Sequence, residues 1–519
     1  MESSISYWFR KVFVRDVDLS KRGFFYFFIG FSHWIFILDF ILSHFISFNT
    51  DEMFSLVNIV AIIVFILTFA LAGFLVDKIK RRMRFLVILS SLISLSAVLL
   101  FYDELVYTIF PISSLLFASG IYLIDLLTVF THETTILNRG RLLSYLLIIS
   151  FIISHLLIVL INLDIMAFVI INITFLAIEF AISRVYSYVE TEERLTSDHS
   201  FKEILLEKSH LGYLLAFLSL GYTIGNAFEF NAPLFTNPFF FFSLLLVAVG
   251  ITGIFLDNMG RKWSFSAAIL IISILIIFSG ILRPIFSTIF LPLALPIALI
   301  LLFAFTGDFS TERNTLKYRG AISSIFLFCA ISGFLGGIFI KIIALQTFLA
   351  HPDLWWIPEL TKAINTLLLI IILVWIMPLP EILSSKESIW ADALRNLYVF
   401  NRNSLCIYSK TFDSRNQSAL SEDLITGGLS GILKLISEIT NERKNLRIID
   451  KDQVKLYFEY GRYTVLALTA DRYLPILFKK MEIFLKRFEH EFEKELENFH
   501  GETSQFSSKT ELLVNRYFK

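Results

Sequence analysis

The residues of this chain that could do chemistry fall into two groups. The first lies inside long apolar runs, where an ionisable side chain costs at least a few kcal/mol to bury and is functional by default. Ser32, His33 and Asp39 stand in the run 24–46, Tyr122 and Asp125 in 105–130, and Tyr222, Asn226 and Glu229 in 211–229. Ser32, Phe36, Asp39 and Ser43 follow i, i+4, i+7, i+11, and Tyr222, Asn226 and Glu229 follow i, i+4, i+7, so each set shares one helix face. Such groups suit hydrogen bonding to a small solute or the uptake of a proton. Asp39, with His33 second, is the leading proton-coupling candidate, because protonation removes its burial penalty. Glu229 lies near the outer boundary of its run, and Asp125 lies near the end where Glu133 and Arg139 cluster. His155, Asn172 and Glu179 read as polar contacts between helices.

The second group consists of short charged motifs between the runs. "GFLVDKIKRR" spans Gly73 to Arg82 and "GIFLDNMGRK" spans Gly253 to Lys262, and their glycines are 180 residues apart. Both place an Asp (Asp77, Asp257) four residues after the Gly, with Arg81 and Arg261 following. A second pair, "ETTILNRG" from Glu133 and "ERNTLKYRG" from Glu312, repeats Arg139-Gly140 as Arg319-Gly320, again 180 apart. Two motifs with one offset indicate two parallel halves. An Asp at such a helix end can face a neighbouring helix N-terminus and pair with Arg, forming a charge cluster that closes in one conformation and opens in another. No nucleophilic triad, phosphate-binding loop or metal-ligand cluster accompanies either group, so the chain reads as a non-enzyme without a cofactor.

Stepping from these residues to the elements that carry them, composition points to a membrane. Hydrophobic residues make up 56% and charged residues 17%, against about 45–50% and 25% in soluble domains, and mean hydropathy is +0.71. Two cysteines exclude a disulfide framework. Lys+Arg 45 against Asp+Glu 45 gives no basic excess for a nucleic-acid partner. Twelve runs are long enough to span, at about 24–46, 53–76, 84–101, 105–130, 142–161, 164–183, 211–229, 236–256, 263–282, 285–306, 321–344 and 363–379. Twenty-one Lys and Arg fall in the loops of one side and only Arg283, Lys341 and Lys362 on the other. Both termini are therefore expected in the cytoplasm, with residues 1–22 as an interfacial segment.

The motifs resemble those of the major facilitator superfamily: Gly-x-x-x-Asp-Arg/Lys-x-Gly-Arg/Lys-Arg/Lys after spans two and eight, and Glu-x6-Arg-Gly after spans four and ten. Asn258 and Lys80 depart from the first pattern, and Glu133 is one residue short in the second. The resemblance covers about 1–380. It implies an all-α polytopic membrane protein of 12 transmembrane helices in two six-helix pseudo-repeats (23–184 and 211–380, joined by a cytoplasmic loop 185–210). It further implies a small-molecule solute bound between the halves near spans one, four, seven and ten, moved by rocking of one half against the other. Gly73, Asp77, Arg81, Glu133, Arg139, Gly253, Asp257, Arg261, Glu312 and Arg319 would form the cytoplasmic gate. Phe-rich walls and few fixed charges favour a neutral, amphiphilic or hydrophobic solute, although a Phe in a span is ordinarily a lipid contact. The plasma membrane is the expected location.

Beyond a linker at 381–395 the composition becomes that of a soluble domain. The order of patterns over 396–500 is ββαβββα, an α+β domain resembling the longin/roadblock group of profilin-like folds, with 501–519 as a flexible tail. That resemblance implies docking to a small GTPase or self-association. The alternatives to transport are a non-transporting receptor or adaptor that recruits a GTPase through this domain, and a lipid flippase.

Overall fold

In the computed structural model, the described residues are 19, 21–46, 56–79, 82–99, 105–161, 164–185, 201, 205, 208–227, 238–279, 283–311, 318–351, 353, 356–379, 390–412, 422–440, 446–451, 454–474, 476–497, 499 and 501–518. The chain divides into two units, Met1–Ser384 and Ser385–Lys519.

Among the described residues the first unit holds twelve helices: α1 (Lys21–Ile46), α2 (Leu56–Lys78), α3 (Arg82–Leu99), α4 (Leu105–Glu133), α5 (Arg139–Ile161), α6 (Ile165–Val185), α7 (Lys208–Ala227), α8 (Pro238–Asn258), α9 (Arg261–Ser279), α10 (Arg283–Thr311), α11 (Arg319–Ala350) and α12 (Trp356–Ile376). Five carry windows long and apolar enough to cross a membrane, and others carry shorter apolar stretches. With no water to satisfy backbone groups in hydrocarbon, apolar runs become helices. Helices at the outside of the bundle bury one side: along α2, Ile63, Leu67, Leu71 and Phe74 are exposed while Thr68, Phe69, Ala72 and Val76 are buried, as expected where lipid covers the outer face. This is an integral membrane protein.

The packing repeats with a period of six helices. α1 packs on α5 as α7 packs on α11; α2 on α4 as α8 on α10; α3 on α6 as α9 on α12. The halves meet where α2 packs on α11 and α5 on α8. A Cβ on Gly225 or Gly333 would stand closer than 3.0 Å to backbone atoms of the partner helix, so small residues let α7 and α11 touch backbone to backbone. Many phenylalanines are interior, contrary to the lipid-facing expectation. Phe217, Phe265, Phe305 and Phe326 interlock edge to face, a favoured arrangement of ring quadrupoles.

Between α6 and α7 the described residues include Phe201, which lies 5.3 Å from Phe74 of α2 and 5.4 Å from Tyr318. Of the expected interfacial segment 1–22, all but residues 19, 21 and 22 lie outside the described residues, and Lys21 already opens α1.

The second unit comprises β1 (Leu394–Asn401), β2 (Cys406–Thr411), α13 (Glu422–Thr440), β3 (Ile448–Lys451), β4 (Val454–Tyr460), β5 (Thr464–Ala470), α14 (Ile476–Glu491), α15 (Glu493–Glu497) and α16 (Ser504–Tyr517). The five strands form one antiparallel sheet in the order β2-β1-β5-β4-β3. Alternation sorts the side chains: Tyr398, Phe400, Phe458 and Ala467 pack with Ile425, Leu429 and Leu433 of α13. Tyr457, one residue out of phase, meets Phe478 of α14.

Two expectations change here. The domain begins before 396, because Trp390 is wholly buried in a turn leading into β1. Residues 501–519 are no loose tail: Phe506, Thr510 and Val514 recur every four residues and are buried on one face of α16, with Phe506 against Phe488 and Phe492.

Candidate functional site

Two seams join the halves at the end of the bundle that carries the Lys- and Arg-rich loops, and both are built from the repeated motifs. At one, Asp77 at the end of α2 accepts hydrogen bonds from the backbone N–H groups of Gly320 (2.7 Å) and Ala321 (2.8 Å) in the first turn of α11. At the other, Asp257 at the end of α8 accepts from Gly140 (3.0 Å) and Arg141 (2.8 Å) in the first turn of α5. Those N–H groups have no partner within their own helix, and the positive end of the helix dipole favours a carboxylate there. Gly73 and Gly320 face one another, as do Gly253 and Gly140, and a Cβ on any of the four would come closer than 3.0 Å to atoms of the helix it faces. Gly260, with φ 97, turns the chain from α8 into α9 in a conformation that side chains disfavour.

The correspondence extends to residues that the motifs do not contain. Ser144 donates to the carbonyl of Val249 at 2.8 Å, and Ser324, 180 residues on, donates to the carbonyl of Phe69. Carrying the offset beyond the motifs would have found both serines.

The seams differ in charge. At the α5–α8 seam five charged groups, each no more than 3% exposed, form one network. Asp257 binds Arg261 at 2.9 Å and Arg141 at 3.2 Å, and Asp308 of α10 bridges Arg139 and Arg261. The surplus positive charge is met by carbonyls: Arg139 donates to Thr131, Arg141 to Leu137, and Arg261 to Leu256 and Ile136. At the α2–α11 seam, Thr128 and Ala321 stand at the positions equivalent to Asp308 and Arg141. Nothing in the repeated motifs marks Asp308, which stands one turn before Glu312. Glu312 and Arg81 lie outside the described residues, Arg319 is buried at the start of α11, and Glu133 is half-buried at the end of α4.

Deeper in the first half lies a second polar cluster. His33 on α1 places Nδ1 2.8 Å from Oε1 of Glu179 on α6 and Nε2 3.0 Å from Oδ1 of Asn172. The Tyr122 hydroxyl, on α4, donates to the same Glu179 oxygen at 2.8 Å. All four side chains are buried. His33 and Tyr122 come from the candidate set; Asn172 and Glu179 do link helices, and they do so as partners of His33.

The other candidates are distributed. Ser32 bonds Ser150 of α5 at 3.1 Å, and Phe36 packs on Phe168 and Phe175 of α6. The α1 face expected toward the second half therefore points into the first half. Trp34 of α1 does reach across, its ring 6.2 Å from Phe303 of α10. Asp39 is half-buried with His155 Nδ1 at 3.8 Å. Asp125 and Asn226 are buried and Tyr222 is half-buried. Glu229 and the Ser43 side chain lie outside the described residues.

The arrangement of two packed six-helix halves is the fold seen in solved major facilitator transporters. Solved structures agree on the fold. One is the human organic anion transporter MFSD10 (TETRAN), at TM-score 0.50 and 10% identity, covering 69% of this chain and 99% of that one. Another is the major facilitator transporter FucP in its outward conformation, at TM-score 0.50 and 13% identity, covering 68% and 97%. No protein-family profile matches the sequence, and no curated protein sequence is similar to it.

Proposed function

We propose that the protein is a secondary transporter that moves a small solute by alternating access, its halves rocking about a midplane site. The observation that carries this reading is the pair of equivalent seams, Asp77 on α11 and Asp257 on α5. A carboxylate on a helix N-terminus is a discrete contact that forms or breaks as a unit, which is what a two-state gate needs. The basic ends of the helices face the cytoplasm, and the state with both seams formed is closed on that side. All twelve helices span the bilayer, and the solute is neutral or amphiphilic, recognised near α1, α4, α7 and α10. Transport is coupled to protons.

Residues 385–519 form a regulatory or docking domain of longin-like type. The strand order β2-β1-β5-β4-β3 with helices on both faces supports that assignment. A small GTPase or a second copy is its natural partner class.

The test combines flux and accessibility. Proteoliposomes take up a member of a solute panel, faster with an imposed pH gradient, and keep basal uptake when the tail domain is deleted. Asp257→Asn speeds maleimide labelling of a cysteine placed at Ser144, inside the α5–α8 seam. Unchanged labelling together with unchanged uptake would sink the gate.

A further inference from the structure

We propose that His33 and Glu179 form the proton-coupling site and hold one exchangeable proton in the hydrogen bond between Nδ1 and Oε1. This deepens the transport reading and rests on it. The Asn172 amide fixes the count. Its Nδ2 donates to the carbonyl of Phe168 at 2.8 Å, so its Oδ1 is the atom facing His33 Nε2, and Nε2 must carry hydrogen. The other ring nitrogen and Glu179 Oε1, 2.8 Å apart, then share a single proton. The π face of Phe175, stacked on the imidazole, favours it on Nδ1, so the pair is an imidazolium and a carboxylate and is neutral overall.

Release to water as hydronium leaves a neutral imidazole and a carboxylate, net −1. The Nδ1 lone pair then points at a carboxylate oxygen across the same gap, in a site where His33 is 0% and Glu179 4% exposed. Neither residue bonds to a lysine or arginine among the described residues. Phe175, stacked on the imidazole at 4.9 Å, presents its π face, which favours the charged ring. The deprotonated pair therefore separates unless water or a cation enters. Glu179 Oε2, buried and without a hydrogen-bond partner, is the atom that would receive it.

Titratable groups on the helices that carry or pack against the pair are Tyr122 and Asp125 on α4, Tyr26 and Asp39 on α1, His155 on α5 and Arg184 on α6. Tyr122 donates to Glu179, and Asp39 and His155 face each other. Separation at His33 is transmitted across the seam because the next residue, Trp34, packs on Phe303 of α10. The proton thus acts on the contact between the halves while bound wholly within one of them.

The test is histidine ¹⁵N NMR on the full chain in nanodiscs, titrated between about pH 5 and 9, without any solute. Of the nine histidines, the signal lost in His33→Gln is assigned to His33. The wild type is expected to show both ring nitrogens protonated at pH 7. Glu179→Gln, which keeps an acceptor for Tyr122, should show hydrogen on Nε2 alone at that pH. A wild-type His33 that is neutral at pH 7, or one whose protonation is indifferent to Glu179→Gln, overturns the proposal. The wild-type titration decides even where the variant fails to fold. The Ser144 labelling experiment is independent of it, so failure of the gate and failure of the proton site give different results.

Discussion

Asp308 accepts from Arg139 and Arg261 at 0% exposure, so losing its charge leaves three buried arginines facing Asp257 alone. Removing one partner of a buried ion network costs about 3–5 kcal/mol. Asp308→Asn is therefore expected to lower the thermal stability of the purified protein sharply and to open the α5–α8 seam to labelling. Thr128, the equivalent residue in the other half, bonds only the carbonyl of Ile124 in its own helix. Thr128→Val should change stability by less than about 1 kcal/mol. Equal effects at the two positions would contradict the charge asymmetry of the seams. Asp77 caps the first turn of α11, and a helix cap is worth about 1 kcal/mol, whereas Asp257→Asn also strips a counter-charge from buried Arg141 and Arg261 and should cost more than Asp77→Asn. Thermal unfolding in detergent compares the two.

At the scale of elements, the tightest helix pair is set by small residues. A Cβ on Gly225 would meet the Phe334 backbone inside van der Waals contact, whereas a Cβ on Gly336 meets nothing within 4 Å. Gly225→Ala is expected to spread α7 from α11 and yield unstable or polydisperse protein. Gly336→Ala should be silent in the same size-exclusion and melting measurements. In the soluble unit, α16 is tied to β2 through Glu511, which accepts from Tyr408 and Lys410. The bond to Lys410 and that to Tyr408 hold the Glu511 carboxyl below its ordinary 4.5. A carboxylate depressed in the folded state stabilises above the unfolded value and loses that contribution as pH falls through the folded one. Glu511→Gln should therefore flatten the loss of stability below about pH 4.5, by less than about 1 kcal/mol because the pair is partly exposed.

At the scale of the whole molecule, the two units have separate cores, so 385–519 expressed alone is expected to be soluble and to unfold cooperatively in urea. A fragment starting at 396 would lack Trp390, which is wholly buried, and Leu394, and should be markedly less stable. Circular dichroism melts of the two fragments make the comparison. The membrane unit is legible as two halves because a repeat leaves the same chemistry at a fixed offset: Gly, Asp, Arg and Gly recur at 180 residues wherever backbone must approach backbone. The soluble unit is legible in its order of strands and helices, because alternation and the 3.6-residue period are local. The helix at 504–517 is hidden in the sequence because its buried stripe, Phe506, Thr510 and Val514, includes a polar residue while Leu512 is exposed, and it becomes a face only when α14 lies beneath it.

Sequence alone therefore determined what local chemistry determines: apolar spans, the repeat, the glycines and aspartates of both seams, and the succession of strands and helices along the second unit. Tertiary structure decided which distant groups became partners. Asp308, not Glu312, joined Arg139 and Arg261, and Glu179 joined His33 and Tyr122 from three different helices. The reason is physical. Buried charge is stabilised by whichever counter-charge the packing brings within about 3 Å, and helix rotation, which no single span encodes, selects it. The same rotation turned Ser32 and Phe36 inward and left Trp34 to meet the other half.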